Sequence, residues 1–264
     1  MRIATWNVNS VIARLPRLIE WLGEVEPDVL CLQELKTSSD AFPADEVGAL
    51  GYEVAAYGTG RWNGVAILSR VGVVDVRRGL LDEPGYQPED AMLDAVEARA
   101  VGATCGGVRV WSVYVPNGRE VGHPHFEYKL RWLDALRATV AQELPAHERF
   151  AVLGDFNIAP SDEDVWDVSA FVGSTHVTEP ERAALHGLRE TGLTDVPARA
   201  LKYDTPYTYW DYRAGRFHKN EGMRIDLMLA SAPLAGAVRD AYVDRNARKG
   251  KGPSDHAPLV VDVD

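Results

Sequence analysis

The segment Phe150-Ala151-Val152-Leu153-Gly154-Asp155-Phe156-Asn157 sets the strongest limit on how this chain can fold. Four apolar residues rich in β-formers predict a buried strand, and Gly154 then releases the chain into a turn carrying a carboxylate and an amide. An acid placed there is held by rigid backbone yet faces the open edge of a sheet, where metals and substrates are commonly bound. Turn chemistry by itself would account for the Asp and the Asn. Similar polar punctuation, however, stands at the ends of other strand-like runs, at Asn7, Glu34, Tyr114, Asp226 and Asp255-His256. Ligand-type groups at several strand ends predict one shared site.

At 264 residues with 46% hydrophobic content, the chain can bury a sizeable core as one large domain or two small ones. No repeat, low-complexity stretch or linker divides it, so one domain over 1–264 is expected. Met1 to Trp6 reads as a strand broken by Asn7 and Asn9, not as a signal peptide, and no apolar run approaches the ~18 residues a membrane helix needs. Cys31 and Cys105 are too few for a disulfide framework. These features lead us to expect a cytoplasmic protein with no membrane partner.

Apolar periodicity and turn residues predict strands over 2–7, 28–33, 52–57, 64–69, 71–77, 92–101, 108–115, 150–153, 207–210, 225–229, 241–243 and 259–263. The 71–77 strand is expected to pair back on its predecessor as a hairpin. Leu15, Leu18, Ile19 and Leu22 recur at helical spacing with Pro16 in the first turn, and a short helix is expected near 43–50. The longest amphipathic helix carries Phe126, Leu130, Leu133, Leu136 and Val140, and Thr178-Glu179-Pro180-Glu181 fits a capping box opening another. Strands outnumber helices and several adjoin by hairpins. A two-sheet core with helices outside fits better than a (β/α) barrel, which needs regular strand–helix alternation.

Glu34, Asp155 and Asp255 cannot share a dry cleft unless a cation offsets their repulsion or some take up protons. Oxygen ligands from Asp, Glu and Asn, without cysteine, suit Mg²⁺ or Mn²⁺ better than zinc. Asp226 lies in an apolar strand where an unpaired carboxylate would be costly, and His256 is its natural partner. A net charge of −11 argues against a polyanionic partner. The distribution is uneven, however: Arg213, Arg216, Lys219 and Arg224 form one basic run, and Arg245, Arg248, Lys249 and Lys251 another. Both flank strand-end acids and favour anion binding. Trp210, within Tyr207-Thr208-Tyr209-Trp210-Asp211-Tyr212, suits either core packing or a surface on which bases or sugars stack.

Taken together, the marks resemble the exonuclease III family of DNA-repair nucleases, relatives of deoxyribonuclease I in the endonuclease/exonuclease/phosphatase superfamily. They are Thr5-Trp6-Asn7-Val8-Asn9-Ser10, Leu32-Gln33-Glu34-Leu35-Lys36, Asn63-Gly64-Val65-Ala66-Ile67, Tyr114-Val115-Pro116-Asn117-Gly118, Gly154-Asp155-Phe156-Asn157, Tyr209-Trp210-Asp211-Tyr212, Arg224-Ile225-Asp226 and Ser254-Asp255-His256. The resemblance covers nearly the whole chain. It implies a four-layer α/β sandwich of two largely antiparallel sheets flanked by helices.

For the site, the resemblance implies that Glu34 binds Mg²⁺, with Mn²⁺ able to substitute, Asn7 nearby and Asp255 contributing. Asp155 would activate the attacking water, Asn157 would orient it or the phosphate, and Tyr114 would contact the scissile phosphate or help the leaving group. His256, held by Asp226, would stabilise the transition state. A second-metal role for Asp155, Asn157 and His256 stays open. Asn117, Trp210, Arg213, Arg216, Lys219 and Arg224 would contact DNA. The implied partner of this monomer is double-stranded DNA with abasic sites or blocked 3′ ends, cleaved 5′ to the lesion or trimmed 3′ to 5′. Ser10 departs from the Asn-Gly of many relatives, and Leu35 from the Thr common after the metal Glu. The rivals are a lipid-directed phosphodiesterase of the same superfamily and a non-catalytic nucleic-acid-binding module.

Overall fold

The computed structural model describes residues 1–87 and 95–264. Its strands are β1 Arg2–Asn7, β2 Val29–Gln33, β3 Glu53–Tyr57, β4 Val65–Ser69, β5 Val74–Arg78, β6 Ala100–Cys105, β7 Val108–Tyr114, β8 Phe150–Asp155, β9 Leu193–Asp195, β10 Arg199–Ala200, β11 Asp226–Ser231, β12 Val238–Val243 and β13 Leu259–Val263. The principal helices are α1 Val11–Val25, α2 Ala44–Gly48, α3 Pro124–Glu143 and α4 Glu179–Arg189. One sheet has seven strands in the order β10-β12-β13-β1-β2-β4-β3, the other six in the order β5-β6-β7-β8-β11-β9. Most neighbours are antiparallel; β1–β2, β7–β8 and β10–β12 are parallel.

The two-residue period of a strand assigns each side chain to a layer. Ile3, Cys31, Val110, Leu153 and Met228 meet in the core between the sheets. Their sequence neighbours face outward. Ala4, Trp6, Leu30 and Leu32 pack against Leu18, Trp21 and Leu22 of α1. Trp111, Val113, Val152 and Leu227 pack against Trp132 and Leu136 of α3 and Leu185 and Leu188 of α4. The result is the expected four-layer sandwich. Parity also sends Asn7, Tyr114, Asp155 and Asp226 to the inner side, so the apolar core becomes polar as it reaches one edge. Just inside that edge, Gln33 Nε2 donates to Thr5 Oγ1 (3.0 Å) and Ser112 Oγ (3.1 Å), closing the core with a satisfied polar layer.

Several local expectations change. β5 pairs with β6 in the second sheet and forms no hairpin with β4, because the chain crosses between layers after Ser69. Tyr207 to Trp210 makes only isolated bridges, from Tyr209 to Met223 and to His256. Its backbone N–H and C=O groups bind neighbouring loops instead of a ladder. The strand expected over 92–101 begins at Ala100, and its positions 92–94 lie outside the described residues. α1 starts earlier than the leucine spacing indicates, with the Ser10 side chain accepting from Ala13 N. Pro16 therefore falls in the second turn, on the exposed face, where its missing N–H leaves only a solvent-side carbonyl unpaired. The capping box at Thr178 and Glu181 is present. The short strands β9 and β10 have too few apolar residues to be read from periodicity.

Candidate active site

Tyr114 and Asp226 are the in-register neighbours of Asp155 on either side, so β7, β8 and β11 present three functional side chains in one row. β7 and β8 end at this edge and β11 begins there, because β11 runs antiparallel to β8. In the facing sheet Asn7 ends β1 beside Gln33 of β2, and Glu34 follows immediately. Gly154 makes the close packing of the row possible. Its φ is 150°, and a Cβ there would lie 1.9 Å from the carbonyl oxygen of Val113. Glu34 and Asn157 take left-handed φ values of 53° and 50°. Such backbone is costly for residues with a Cβ and persists where surrounding contacts fix it.

Asn7 Nδ2 donates to Glu34 Oε1 and to Asp155 Oδ2, both at 2.9 Å. Its Oδ1 accepts from Asn9 N at 3.0 Å, so Asn7 bridges the two carboxylates instead of turning its oxygen toward a shared ion. Asp155 Oδ1 accepts from the backbone N–H of Asn157 at 2.9 Å. On the far side, His256 lies between Asp226 Oδ2, 2.7 Å from Nδ1, and Asp155 Oδ2, 3.8 Å from Nε2. The imidazole is fixed through its backbone, whose carbonyl accepts from Trp6 Nε1 (3.1 Å), and packs against the Tyr209 ring at 4.9 Å. Ser254 Oγ ties this loop to the Asn7 carbonyl at 2.7 Å.

Burial opposes charge on His256, but the Asp226 and Asp155 carboxylates outweigh it and raise the imidazole to about 10. Burial pushes Asp155 up to about 7; the attraction of His256 works against this, while Asp226 and Glu34 reinforce it. Burial would raise Glu34 too, yet Lys36 Nζ, 2.9 Å from Oε2, holds it below the usual range. Tyr114 is pushed well up by burial and then by Glu34, so its phenol stays protonated. Glu34, Asp155 and His256 each offer one ligand atom within 4.8 Å of the others. The carboxylate repulsion that reinforces the rise of Asp155 is what a cation would relieve, and Glu34 and Asp155 fit a divalent ion, which His256 could join only as the neutral imidazole. Asp255 stands outside that closest group, with Oδ1 accepting from Asn9 Nδ2 at 3.0 Å.

Asn157 Oδ1 accepts from Asn117 Nδ2 at 3.2 Å, which places Asn117 at the rim of the site. The two basic runs divide. Arg213 and Lys219 are exposed, the former paired with Asp211 at 2.8 Å. Arg216 pairs with Glu221 at 3.2 Å and lines a cavity of about 290 Å³ beside Asn117 and Tyr209. Three expectations of surface contact are corrected. Arg224 is enclosed in ion pairs with Asp164 (2.6 Å) and Asp195 (3.0 Å), so its donors are already used. Trp210 is only 1% exposed, which removes it as a stacking surface and makes it core. Arg245 and Arg248 lie buried against Phe217, at 3.8 and 4.8 Å from the ring, and bond to loop carbonyls. Lys249 and Lys251 alone of that run are exposed.

Sequence reasoning missed Lys36, Lys129, His176 and Thr208. Thr208 Oγ1 accepts from the N–H of Ile225 (3.1 Å) and Asp226 (3.0 Å), fixing the start of β11. His176 Nδ1 lies 2.6 Å from the Asn157 carbonyl. Only Lys36, two residues after Glu34, carried a signal in its spacing.

A two-sheet α/β sandwich with carboxylate, amide and imidazole groups converging at one open edge defines the deoxyribonuclease I-like class of phosphoesterases. The model of the endonuclease/exonuclease/phosphatase family matches residues 4–256, and the chain belongs to that family. Among curated proteins it is 30% identical to the exodeoxyribonuclease III of Haemophilus influenzae, over 98% of each chain. Among solved structures it resembles a 3′-5′ exonuclease from Neisseria meningitidis (39% identity, TM-score 0.91, 100% of each chain). It also resembles an AP endonuclease from Archaeoglobus fulgidus (35% identity, TM-score 0.90, 100% of this chain and 99% of that one). A further neisserial structure, of a 3′ phosphatase, has a product DNA hairpin bound.

Proposed function

We propose that this chain is a Mg²⁺-dependent DNA-repair phosphodiesterase that processes 3′ ends of duplex DNA, by exonucleolytic cleavage and removal of blocking groups, and incises 5′ to abasic sites. The observation that carries this reading is the alignment of Asp226, His256 and Asp155 opposite Glu34. A buried imidazolium is suited to a phosphoryl oxygen that gains charge in the transition state. Asp155, near 7, can take a proton from water at neutral pH, and the Asn157 N–H holds its carboxylate in place. Tyr114, protonated and beside Glu34, is a donor to a leaving oxygen or a phosphate. Glu34 would hold Mg²⁺, which when bound offsets the negative charge of the phosphate oxygens.

The 3′-end reading comes first because relatives at 39% identity are named exonuclease and 3′ phosphatase; the AP endonuclease at 35% favours incision as the second activity. The whole chain serves as one monomeric domain. Two buried free thiols, Cys31 and Cys105, suit the reducing cytoplasm, and no helix among the described residues is long and apolar enough to cross a membrane.

The test uses duplexes ending in a 3′ hydroxyl, ending in a 3′ phosphate, or carrying one internal abasic analogue, with Mg²⁺ and with EDTA. Shortening of the first and dephosphorylation of the second are expected only with Mg²⁺. Glu34→Gln should raise the Mg²⁺ concentration needed while the fold survives. Inertness toward all three duplexes would overturn the reading, and incision of the third alone would reverse the order of the two activities.

A further inference from the structure

Lysine is almost never fully buried unless it is paired. Lys129, on the inner face of α3, has no exposed surface, and neither has Glu181 on α4. Lys129 Nζ donates to the carbonyl oxygens of Asn157 (2.7 Å) and Asn117 (3.2 Å), to Thr175 Oγ1 (3.3 Å), and to Glu181 Oε1. Glu181 Oε1 also accepts from Thr175 Oγ1 (2.6 Å) and His176 N (2.9 Å), while its Oε2 closes the capping box with Thr178 N and Oγ1.

Taking both charges out of water costs several kcal/mol per ion, and well-packed apolar residues in place of such a pair are often neutral or stabilising. Stability therefore does not explain the pair. What the ammonium supplies is a grip on two main-chain oxygens, and both belong to residues at the candidate site. The side chains of Asn117 and Asn157 are themselves bonded at 3.2 Å. Asn157 holds a left-handed φ of 50°, and its carbonyl is also met by His176 Nδ1 at 2.6 Å. The same residue's N–H orients Asp155.

We propose that Lys129, with Glu181 as its counter-ion, is a positioning residue that locks the turns of Asn117 and Asn157 and thereby fixes Asp155 for catalysis. This rests on the functional reading above. It makes the α4 capping box part of the site's support: one carboxylate starts the helix and anchors the lysine.

The test compares wild type with Lys129→Met and with Lys129→Met/Glu181→Gln. The single variant strands a buried carboxylate and can fail to fold; the double variant removes both charges and leaves Glu181's replacement able to cap α4. Amide hydrogen exchange is followed over 115–119 and 155–159, with β1 and β2 as internal controls. kcat and KM are measured on the 3′-phosphate duplex. In the folded double variant, exchange should rise in those two turns alone. kcat should fall by roughly 10²-fold, the scale expected of a displaced catalytic group, with KM nearly unchanged. Wild-type exchange and kcat in the folded double variant would overturn the proposal, as would failure of both variants to fold, which assigns the pair to global stability. If wild type itself cleaves no DNA, the functional reading fails separately, and hydrogen exchange still judges the positioning role.

Discussion

Asp226 Oδ2 lies 2.7 Å from His256 Nδ1, and both side chains are buried. The other carboxylate oxygen of Asp226 has no hydrogen-bond partner among the described residues, so this carboxylate is committed to the imidazole. The pair fixes which nitrogen faces Asp155. Because the two residues act as a unit, Asp226→Asn and His256→Asn should each lower kcat strongly, and the double variant should be little worse than either. Losses that multiply across the double variant would separate their roles.

Burial of Trp210 changes what its replacement should do. Trp210→Ala should cost ~3–5 kcal/mol of stability, the range for emptying a tryptophan site in a core, as measured by urea unfolding. Its preference among DNA substrates should stay that of wild type. Arg224→Ala likewise should lower stability, because Asp164 and Asp195 lose their shared partner. Lys219 is exposed, so Lys219→Ala should flatten the dependence of DNA affinity on salt by about one log unit per log unit. Equal slopes for wild type and Lys219→Ala would remove that lysine from the phosphate-binding surface.

His125 supplies a pH dependence away from the catalytic groups. Its Nδ1 accepts from Gly118 N at 3.1 Å, and burial, followed by the field of Arg99, depresses the imidazole to about 4. Above the ordinary value of 6.5 the ring is neutral folded and unfolded, and it contributes no slope. As pH falls below 6.5, the unfolded chain takes a proton that the native state refuses, so stability drops until about pH 4. Across that window the slope should reach about 1.4 kcal/mol per pH unit for this one group. His125→Gln should remove up to one proton from the difference between the states. Parallel stability curves for the variant and wild type from pH 4 to 6.5 would show that the ring is not held neutral.

Ser10 caps α1 with φ 89° and ψ 106°, and its capping bond to Ala13 N is long at 3.4 Å. Backbone in so sparsely populated a region costs ~1–3 kcal/mol for a residue with a Cβ, against ~0.5–1 kcal/mol for the extra unfolded-state freedom of glycine. Ser10→Gly should therefore stabilise the protein by ~1 kcal/mol, seen as a higher urea midpoint with unchanged slope. A lower midpoint would mean that the capping bond outweighs the strain.

The sequence by itself determined the buried strands and the ligand-type residues at their ends. In β1, β8 and β11 a nearly continuous apolar run marks a strand buried on both faces, and the polar residue that closes or opens each run marks an end of that strand, while the face it takes is set by the packing of the sheets. That is why Asn7, Glu34, Tyr114, Asp155, Asp226 and His256 were legible, and why the pairing of Asp226 with His256 followed from the cost of a lone buried carboxylate. Tertiary structure decided what depends on which segments meet. The sheet that receives β5 is set by its partner strand, not by its own pattern. Trp210, Arg224, Arg245 and Arg248 carry side chains that suit surface or interior equally, and only the packing of other segments, those of Asp164, Asp195 and Phe217 among them, put them inside. Lys129 is the clearest case. A lysine on a helix reads as exposed until the chain brings Glu181 and the carbonyls of Asn117 and Asn157 around it, since burial of a charge is tolerated only where opposite charge and acceptors already converge.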